Sequence, residues 1–322
     1  MKKLFLSTLA SAVLLASIHA AEYQVVSDWL KLPAGRAKLG DMHGDVAISS
    51  VGEIYVSVQD PQAGLQVFAT DGKFLRNVPN APSDFHGFVI RRQADGEFIF
   101  GPRLGGQSIV KLALDGRVVL TIPASAIPDE FKNKDSKTGK TSVALTAMDI
   151  APNGDLYVTD GYASDYVHRF DRTGKYLSSF GGRKAPYYFS TLHKIAIDTR
   201  FTPARIIGCD RANNRVVRLS LDGEFLGVVA QDLLLPAAVA IHGDYAAIGE
   251  LKGRVTILDK AGQVVVRLGA NSEPGVGGNQ IKPEQWRPGV VISPHGVVFN
   301  DHGDLFVAEY SVFGRVHRFD RK

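Results

Sequence analysis

Apolar and polar residues alternate with a period of two in short runs along this chain, and each run is closed by glycine or by an Asp-Gly or Thr-Gly pair. That is the pattern of half-buried β-strands joined by tight turns. The runs fall into a phrase of three that recurs six times. The first copy occupies residues 44–48, 51–56 and 65–68, followed by the turn Thr70-Asp71-Gly72-Lys73. The second takes residues 86–90, 95–100 and 109–112 and the turn Leu114-Asp115-Gly116-Arg117. The third takes 146–150, 153–158 and 167–170 and the turn Arg172-Thr173-Gly174-Lys175. The fourth takes 193–197, 205–208 and 215–219 and the turn Leu221-Asp222-Gly223-Glu224. The fifth takes 237–241, 245–248 and 254–258 and the turn Lys260-Ala261-Gly262-Gln263, and the sixth takes 295–299, 302–307 and 315–319. The turn glycines Gly72, Gly116, Gly174, Gly223 and Gly262 stand 44, 58, 49 and 39 residues apart, by subtraction of their numbers. This brackets the ~40–50-residue period of a propeller blade.

The expectation is therefore an all-β, six-bladed β-propeller over residues 21–322. The sixth copy ends with its third strand, so another segment has to cover that edge. Glu22-Tyr23-Gln24-Val25-Val26-Ser27 is a short β-rich run suited to close the ring. Two stretches, 123–142 and 271–289, interrupt the period and read as long loops. The phrases resemble NHL repeats over roughly residues 40–320.

Before the repeats, Lys2 and Lys3 precede an apolar run over residues 4–18 and small residues at Ala20 and Ala21. This is the layout of a secretory signal peptide, so residues 1–20 are expected to be removed and the protein to be secreted or periplasmic. The run is short for a membrane span. Removing Lys2 and Lys3 from 37 basic residues leaves 35 against 33 acidic, a net charge of +2, too small and too evenly spread to call for nucleic acid or an anionic membrane. The chain is expected to act as a monomer. Cys209 is the single cysteine, which excludes an internal disulfide framework and any multi-cysteine metal knuckle. It follows Ile206-Ile207-Gly208 and reads as a small buried apolar residue.

With the copies aligned on the first strand, the residue four before its last apolar position is Gly44, His86, Thr146, His193, Ala237 and His295. Histidine occupies the even blades and a small residue the odd ones. Alternate blades of a six-bladed ring lie about a third of a turn apart, so His86, His193 and His295 are expected to converge on the axis as a three-histidine metal site with a position left open. Zinc suits such a site, and other first-row divalent ions have the same ligand chemistry. A lone histidine near a strand start is more often a structural, hydrogen-bonded residue; three in one register separate the two readings. His43 sits one position out of register, as a possible outer neighbour of the site, and His168, His242, His302 and His317 fall in outer strands or turns, where exposure is the default.

Second-strand ends should also gather around the channel. Arg103, Tyr162 and Arg211 stand there, each just after a second strand. A tyrosine beside a metal can transfer a proton, and arginines can hold a carboxylate or a developing oxyanion. The alternative is that Asp160 and Asp210 cap turns while Tyr162 and Arg211 pack over neighbouring blades.

His86-Gly87, Asp160-Gly161-Tyr162, Leu192-His193, Asp210-Arg211 and Pro294-His295, in that order on successive blades, resemble peptidyl-α-hydroxyglycine α-amidating lyase. In that family three histidines bind zinc, and a tyrosine and arginines serve an N-dealkylation releasing an amide and glyoxylate. The resemblance implies zinc on His86, His193 and His295, a catalytic Tyr162 and an active-site Arg211. The family's first-blade arginine falls near Gln59, with Arg103 as a candidate stand-in, and the aspartate that ligates calcium there corresponds to Gly296, which leaves Ca2+ without that ligand. No copper monooxygenase domain accompanies the repeats.

Three functional expectations stand side by side. One is a zinc-dependent lyase-like enzyme acting on a small hydroxylated or carbonyl-bearing substrate, with Tyr162 moving a proton and Arg103 and Arg211 holding charge. Another is a non-catalytic propeller binding a protein, peptide or glycan. The third is a carbohydrate-active enzyme on the same metal scaffold. Fold alone does not choose among them.

Overall fold

The computed structural model describes residues 22–273 and 275–322; the expected leader, residues 1–20, lies outside the described residues. Among these, six four-stranded antiparallel sheets form the blades of a propeller, each built in simple up-and-down order from the axis outward. The innermost strands are Val46–Ile48, Val89–Gln93, Ala147–Ile150, Leu192–Asp198, Pro236–His242 and Pro294–Phe299. The six copies of the sequence phrase therefore map one to a blade, and the first five are each completed by an outer strand after the glycine turn. No described helix is long and apolar enough to cross a membrane.

Apolar alternation on both faces of each sheet gives the core its form. Instead of one central core there are six wedges, one at each joint between blades. Val67, Phe85, Phe88 and Ile99 fill the joint between blades 1 and 2, and Phe100, Met148, Val158 and Phe170 that between blades 2 and 3. Tyr157, Phe189, Ile195 and Val217 fill the next, Cys209, Val216, Val239 and Ile248 the next, and Ala247, Val255, Val297 and Val307 the one after. Trp29, Met42, Ile54 and Phe306 close the joint between blades 6 and 1. Cys209 is fully buried in the joint between blades 4 and 5, as expected, and burial pushes its thiol pKa well up, which leaves it inert.

The N-terminal run closes the ring. Tyr23–Val25 pairs antiparallel with Arg315–Arg321, register Tyr23 to Arg321 and Val25 to Phe319, as the fourth strand of blade 6. The edge that the third strand of blade 6 would expose is covered. The turn glycines are needed where outer turns meet neighbouring segments. Gly72 has φ +84°, and a Cβ on it would lie 1.8 Å from the Trp29 carbonyl oxygen. Gly116, at φ +87°, would meet the Pro79 carbonyl oxygen at the same 1.8 Å.

Two expectations change. The 123–142 stretch is not an open loop: it carries 3-10 turns at Ala124–Ala126 and Asp129–Phe131 and a small hairpin of Asn133–Lys134 with Thr141–Ser142, and Ile127 and Val143 pack into the wedge between blades 2 and 3. His168 and His317 are buried, not exposed. They lie on third strands, whose faces look at neighbouring blades and not at solvent. There His168 Nδ1 bonds Ser179 Oγ at 2.7 Å, and His317 Nε2 bonds the buried Glu309.

Candidate metal centre

Each blade places its innermost strand by a clasp. The residue at the end of the second strand reaches back to a backbone N–H two or three residues before the axial position of the same blade. Asp160 accepts from Ala144 N at 2.5 Å, Asp210 from Ser190 N at 2.8 Å, Glu250 from Leu234 N at 2.5 Å and Glu309 from Ser293 N at 3.2 Å. Blade 1 uses a neutral version, in which the Gln59 side-chain oxygen accepts from His43 N. Blade 2 reverses the charges: Arg103 ends the second strand and its Nε donates to Asp84 at 2.9 Å, two residues before His86. The turn-capping alternative holds for Asp160, which also accepts from Ser164 N at 3.2 Å, but not for Asp210, whose carboxylate caps no backbone N–H of its own turn and binds Ser190 N, Asn213 and Arg215 instead; neither displaces its neighbour from the site.

With the strands so placed, His86, His193 and His295 meet on the axis, all at most 2% exposed. Their ring centroids lie 4.6–4.9 Å apart. Each Nδ1 lies against a carbonyl oxygen of the next blade, at the matching axial position: His86 on Thr146 O (2.8 Å), His193 on Ala237 O (2.6 Å) and His295 on Gly44 O (2.8 Å). A carbonyl only accepts, so each Nδ1 carries the proton and each neutral Nε2 presents a bare lone pair to the axis. Burial holds all three below their ordinary pKa, His86 at about 3 and His193 and His295 well below 6.5, with neighbouring imidazoles adding to the effect. They are neutral at physiological pH, the state in which imidazole binds metal.

Tyr162 and Arg211 join them. The Tyr162 hydroxyl is 2.9 Å from His86 Nε2, 3.1 Å from His193 Nε2 and 3.3 Å from His43 Nε2, and it accepts from Arg211 NH1 at 3.2 Å. Burial raises its pKa while Arg211 pulls it down, with the net shift upward. Gly161 makes this placement possible: a Cβ there would come within 2.4 Å of the Leu192 carbonyl oxygen. Arg211 lies over the Tyr162 ring, its guanidinium carbon 5.1 Å from the centroid.

These side chains fit a metal ion. One phenolic hydrogen satisfies at most one of the imidazole nitrogens around it, and His295 Nε2 is buried with no hydrogen-bond partner. Metal–ligand bonds of about 2.0–2.1 Å give ligand-to-ligand edges of about 2.9 Å in an octahedron and about 3.4 Å in a tetrahedron. Ligand nitrogens of His43, His86 and His295 lie within 4.8 Å of one another, close enough to share one ion after a small closure, and His193 Nε2 is joined to them through the Tyr162 hydroxyl at 3.1 Å.

Other sequence candidates are placed differently. Arg103 is not brought to the imidazoles: its guanidinium is engaged by Asp84 and packs within 2.6 Å of where a Gly106 Cβ would stand, so it serves the blade 2 clasp. Gln59, where the resembled family has arginine, is likewise structural. Gly296 is required by its neighbour, since a Cβ there would lie 2.4 Å from Asp45 Oδ1. That buried carboxylate is paired across the channel with the ammonium of Lys194 on the opposite blade. A carboxylate thus stands beside position 296, but it comes from blade 1 and its countercharge comes from the chain itself.

Tyr310 was missed, and His43, expected only as an outer neighbour, stands among the imidazoles. His43 has its ring 4.7 Å from His86 and 4.9 Å from His295, and nitrogens of these three lie within 4.8 Å of one another. Tyr310 packs on His43 at 4.4 Å. His43-Gly44 repeats the His-Gly pair of His86-Gly87 and His295-Gly296, but His242-Gly243 and His302-Gly303 carry the same pair away from the site, so the pair alone does not single His43 out. A cavity of about 420 Å3, lined among others by His43, Tyr162, Arg211, His295 and Tyr310, opens on this side. Two of its lining residues, Thr191 at φ 60° and Leu235 at φ 58°, hold left-handed backbone two positions before His193 and Ala237, a local strain common at functional sites. A larger cavity of about 1100 Å3 lies at the opposite mouth, where the inner strands end, away from the imidazoles.

No protein-family profile matches the chain, and no curated protein matches it in sequence. Solved structures are similar in fold. They include a streptogramin B lyase (TM-score 0.57, 14% identity, 94% of this chain and 97% of that one). A virginiamycin B lyase from Staphylococcus aureus has TM-score 0.59 and 12% identity over 93% of this chain and 99% of that one. A gluconolactonase from Xanthomonas campestris has TM-score 0.61 and 12% identity over 88% and 89%. These neighbours are six-bladed propellers, and at such identities the likeness is one of fold.

Proposed function

We propose that this protein is an exported, metal-dependent lyase-like enzyme that acts on a small hydroxylated or carbonyl-bearing substrate, either a peptidyl-hydroxyglycine-like compound or a carbohydrate. The observation that carries the reading is the set of Nε2 lone pairs, locked toward the axis by Nδ1–carbonyl bonds and left without enough protons to satisfy them. The leader-like residues 1–20 support export. Lyases and a lactonase among proteins of this fold show that it accommodates such chemistry, and a histidine-to-alanine variant of a virginiamycin B lyase is described as catalytically inactive.

Zinc, or another first-row divalent ion, would be held by His86, His193 and His295 and would supply a Lewis acid for a substrate oxygen. The chain's own residues do the rest. Tyr162, neutral at rest, holds a proton at its phenolic oxygen beside the cavity, ready to pass to a leaving group. Arg211 holds that oxygen by its NH1 and stabilises negative charge developing on the phenol or on a substrate carboxylate. Tyr310 and His43 wall the cavity, and the burial of His86, His193 and His295 keeps bulk water from their side of the axis.

The test is metal analysis of purified protein together with turnover on hydroxyglycyl peptides, sugar lactones and uronic-acid sugars. One equivalent of a first-row metal in wild type, lost in His86→Ala and His193→Ala together with turnover on one substrate class, is expected. Unchanged metal content in both variants refutes the metal centre. A metal-loaded protein silent on every class points to the binding-only propeller.

A further inference from the structure

We propose that His43 is a fourth imidazole ligand of this ion, so that blades 1, 2, 4 and 6 all contribute to the centre; the proposal rests on the metal-centre reading above. In the odd blades 3 and 5 the axial position supplies only a carbonyl, Thr146 O and Ala237 O, to receive a histidine Nδ1–H. Blade 1 does this with Gly44 O, four residues before Ile48 as in the other blades, and carries a histidine at the residue just before it. Two adjacent residues thus divide the tasks: Gly44 receives His295, and His43 is left to reach over the axis.

The reach is built, not incidental. His43 N donates to the Gln59 side-chain oxygen, and Gln59 Nε2 donates to Phe85 O at 3.1 Å, the residue before His86. One amide therefore fixes His43 relative to His86. From the other side the Tyr310 ring packs on the imidazole at 4.4 Å. His43 Nε2 then stands 3.3 Å from the Tyr162 oxygen, in the same range as His86 and His193 Nε2, and nitrogens of His43, His86 and His295 lie within 4.8 Å of one another.

The consequence is chemical. Four neutral nitrogen donors favour borderline first-row ions such as iron, cobalt, nickel, copper or zinc over magnesium or calcium. The cavity beside the cluster, lined by Arg211 and Tyr310 among others, is where a substrate oxygen would approach such an ion.

The full-length protein, stripped with chelator and reloaded with zinc, would be measured by X-ray absorption for its imidazole shell and by competition for affinity. Four imidazoles are expected in wild type and three in His43→Ala, with affinity falling more than about a hundredfold, since losing a merely supporting group costs about 10–100-fold. His43→Gln covers the case in which the alanine variant fails to fold. Gln59→Ala, which keeps the donor and frees its anchor, is expected to weaken affinity while retaining four imidazoles. Three imidazoles in wild type, unchanged in the His43 variants, overturns the fourth ligand and leaves the three-histidine centre standing. Wild type that takes up no ion refutes the metal centre and this proposal with it.

Discussion

Replacing Lys194 by methionine tests whether the channel beneath the imidazoles is a dry, charge-balanced plug. Lys194 and Asp45 follow His193 and Gly44 on opposite blades and are 5% and 2% exposed. At hydrogen-bond contact and an effective dielectric of about 20, their attraction is about 4–5 kcal/mol. Removing one partner of a buried pair costs about 3–5 kcal/mol, because the other charge stays buried. Asp45 keeps its contact with Val46 N at 2.9 Å, but burial drives its carboxyl upward and the lysine that pulls it down is gone. A folded-state pKa raised above the unfolded value gives stability that is present below the unfolded pKa and lost as pH rises through the folded one. Burial already holds the Asp45 carboxyl above its ordinary value in wild type, so the deficit of Lys194→Met should open as pH rises past that raised value, grow by up to about 1.4 kcal/mol per pH unit and then level off. Urea unfolding followed by near-ultraviolet circular dichroism from pH 4 to 8 measures it. The double variant Lys194→Met with Asp45→Asn should recover most of the loss. A deficit under about 1 kcal/mol, or one flat with pH, refutes the buried pair.

Gly161→Ala should move Tyr162 off the axis, because the added Cβ meets the Leu192 carbonyl at 2.4 Å; turnover is expected to fall about 100-fold or more, within the scale of a lost proton-transfer group, while metal content stays at the wild-type level. Loss of metal in step with turnover would count against a separate role for the tyrosine. In metal-free protein, neutral His86 contributes stability in full above pH 6.5 that is lost as pH falls toward its folded value of about 3; urea midpoints between pH 8 and 4 should drop on the acid side, and less so in His86→Gln. Equal acid sensitivity in both proteins would contradict the buried neutral imidazole. Arg103→Ala should cost less than about 1 kcal/mol, since its pair with Asp84 is partly exposed, and leave turnover within about twofold. A tenfold loss with stability intact would return Arg103 to the reaction.

The period of the phrases made the ring legible, because a blade's inner, middle and outer strands leave the same apolar alternation and the same turn glycine each time. It also placed His86, His193 and His295, since one register in alternate blades has one spatial meaning. His43 was placed only as an outer neighbour because the aligned position in blade 1 is Gly44, the residue after it, although its ring returns to the axis. Arg103 misled for the opposite reason: its position matched a site, but blade 2 swaps the signs of its clasp and needs the guanidinium for Asp84. The Lys194–Asp45 pair joins residues 149 apart across the channel, a contact no local spacing encodes. His168 and His317 looked exposed only because a propeller's third strand is a middle layer between blades, not a surface.

The latch between Tyr23–Val25 and Arg315–Arg321 also sets the order of events during synthesis. The joint it secures, between the last blade and the first, is where His295 finds the Gly44 carbonyl and where Trp29 meets Phe306 at 5.1 Å. A nascent or prematurely ended chain can stack its early blades, yet it holds only part of the imidazole set and no closed axis. On the proposed metal-centre reading, competence to capture an ion would come only with chain completion, and unfinished copies should not sequester metal.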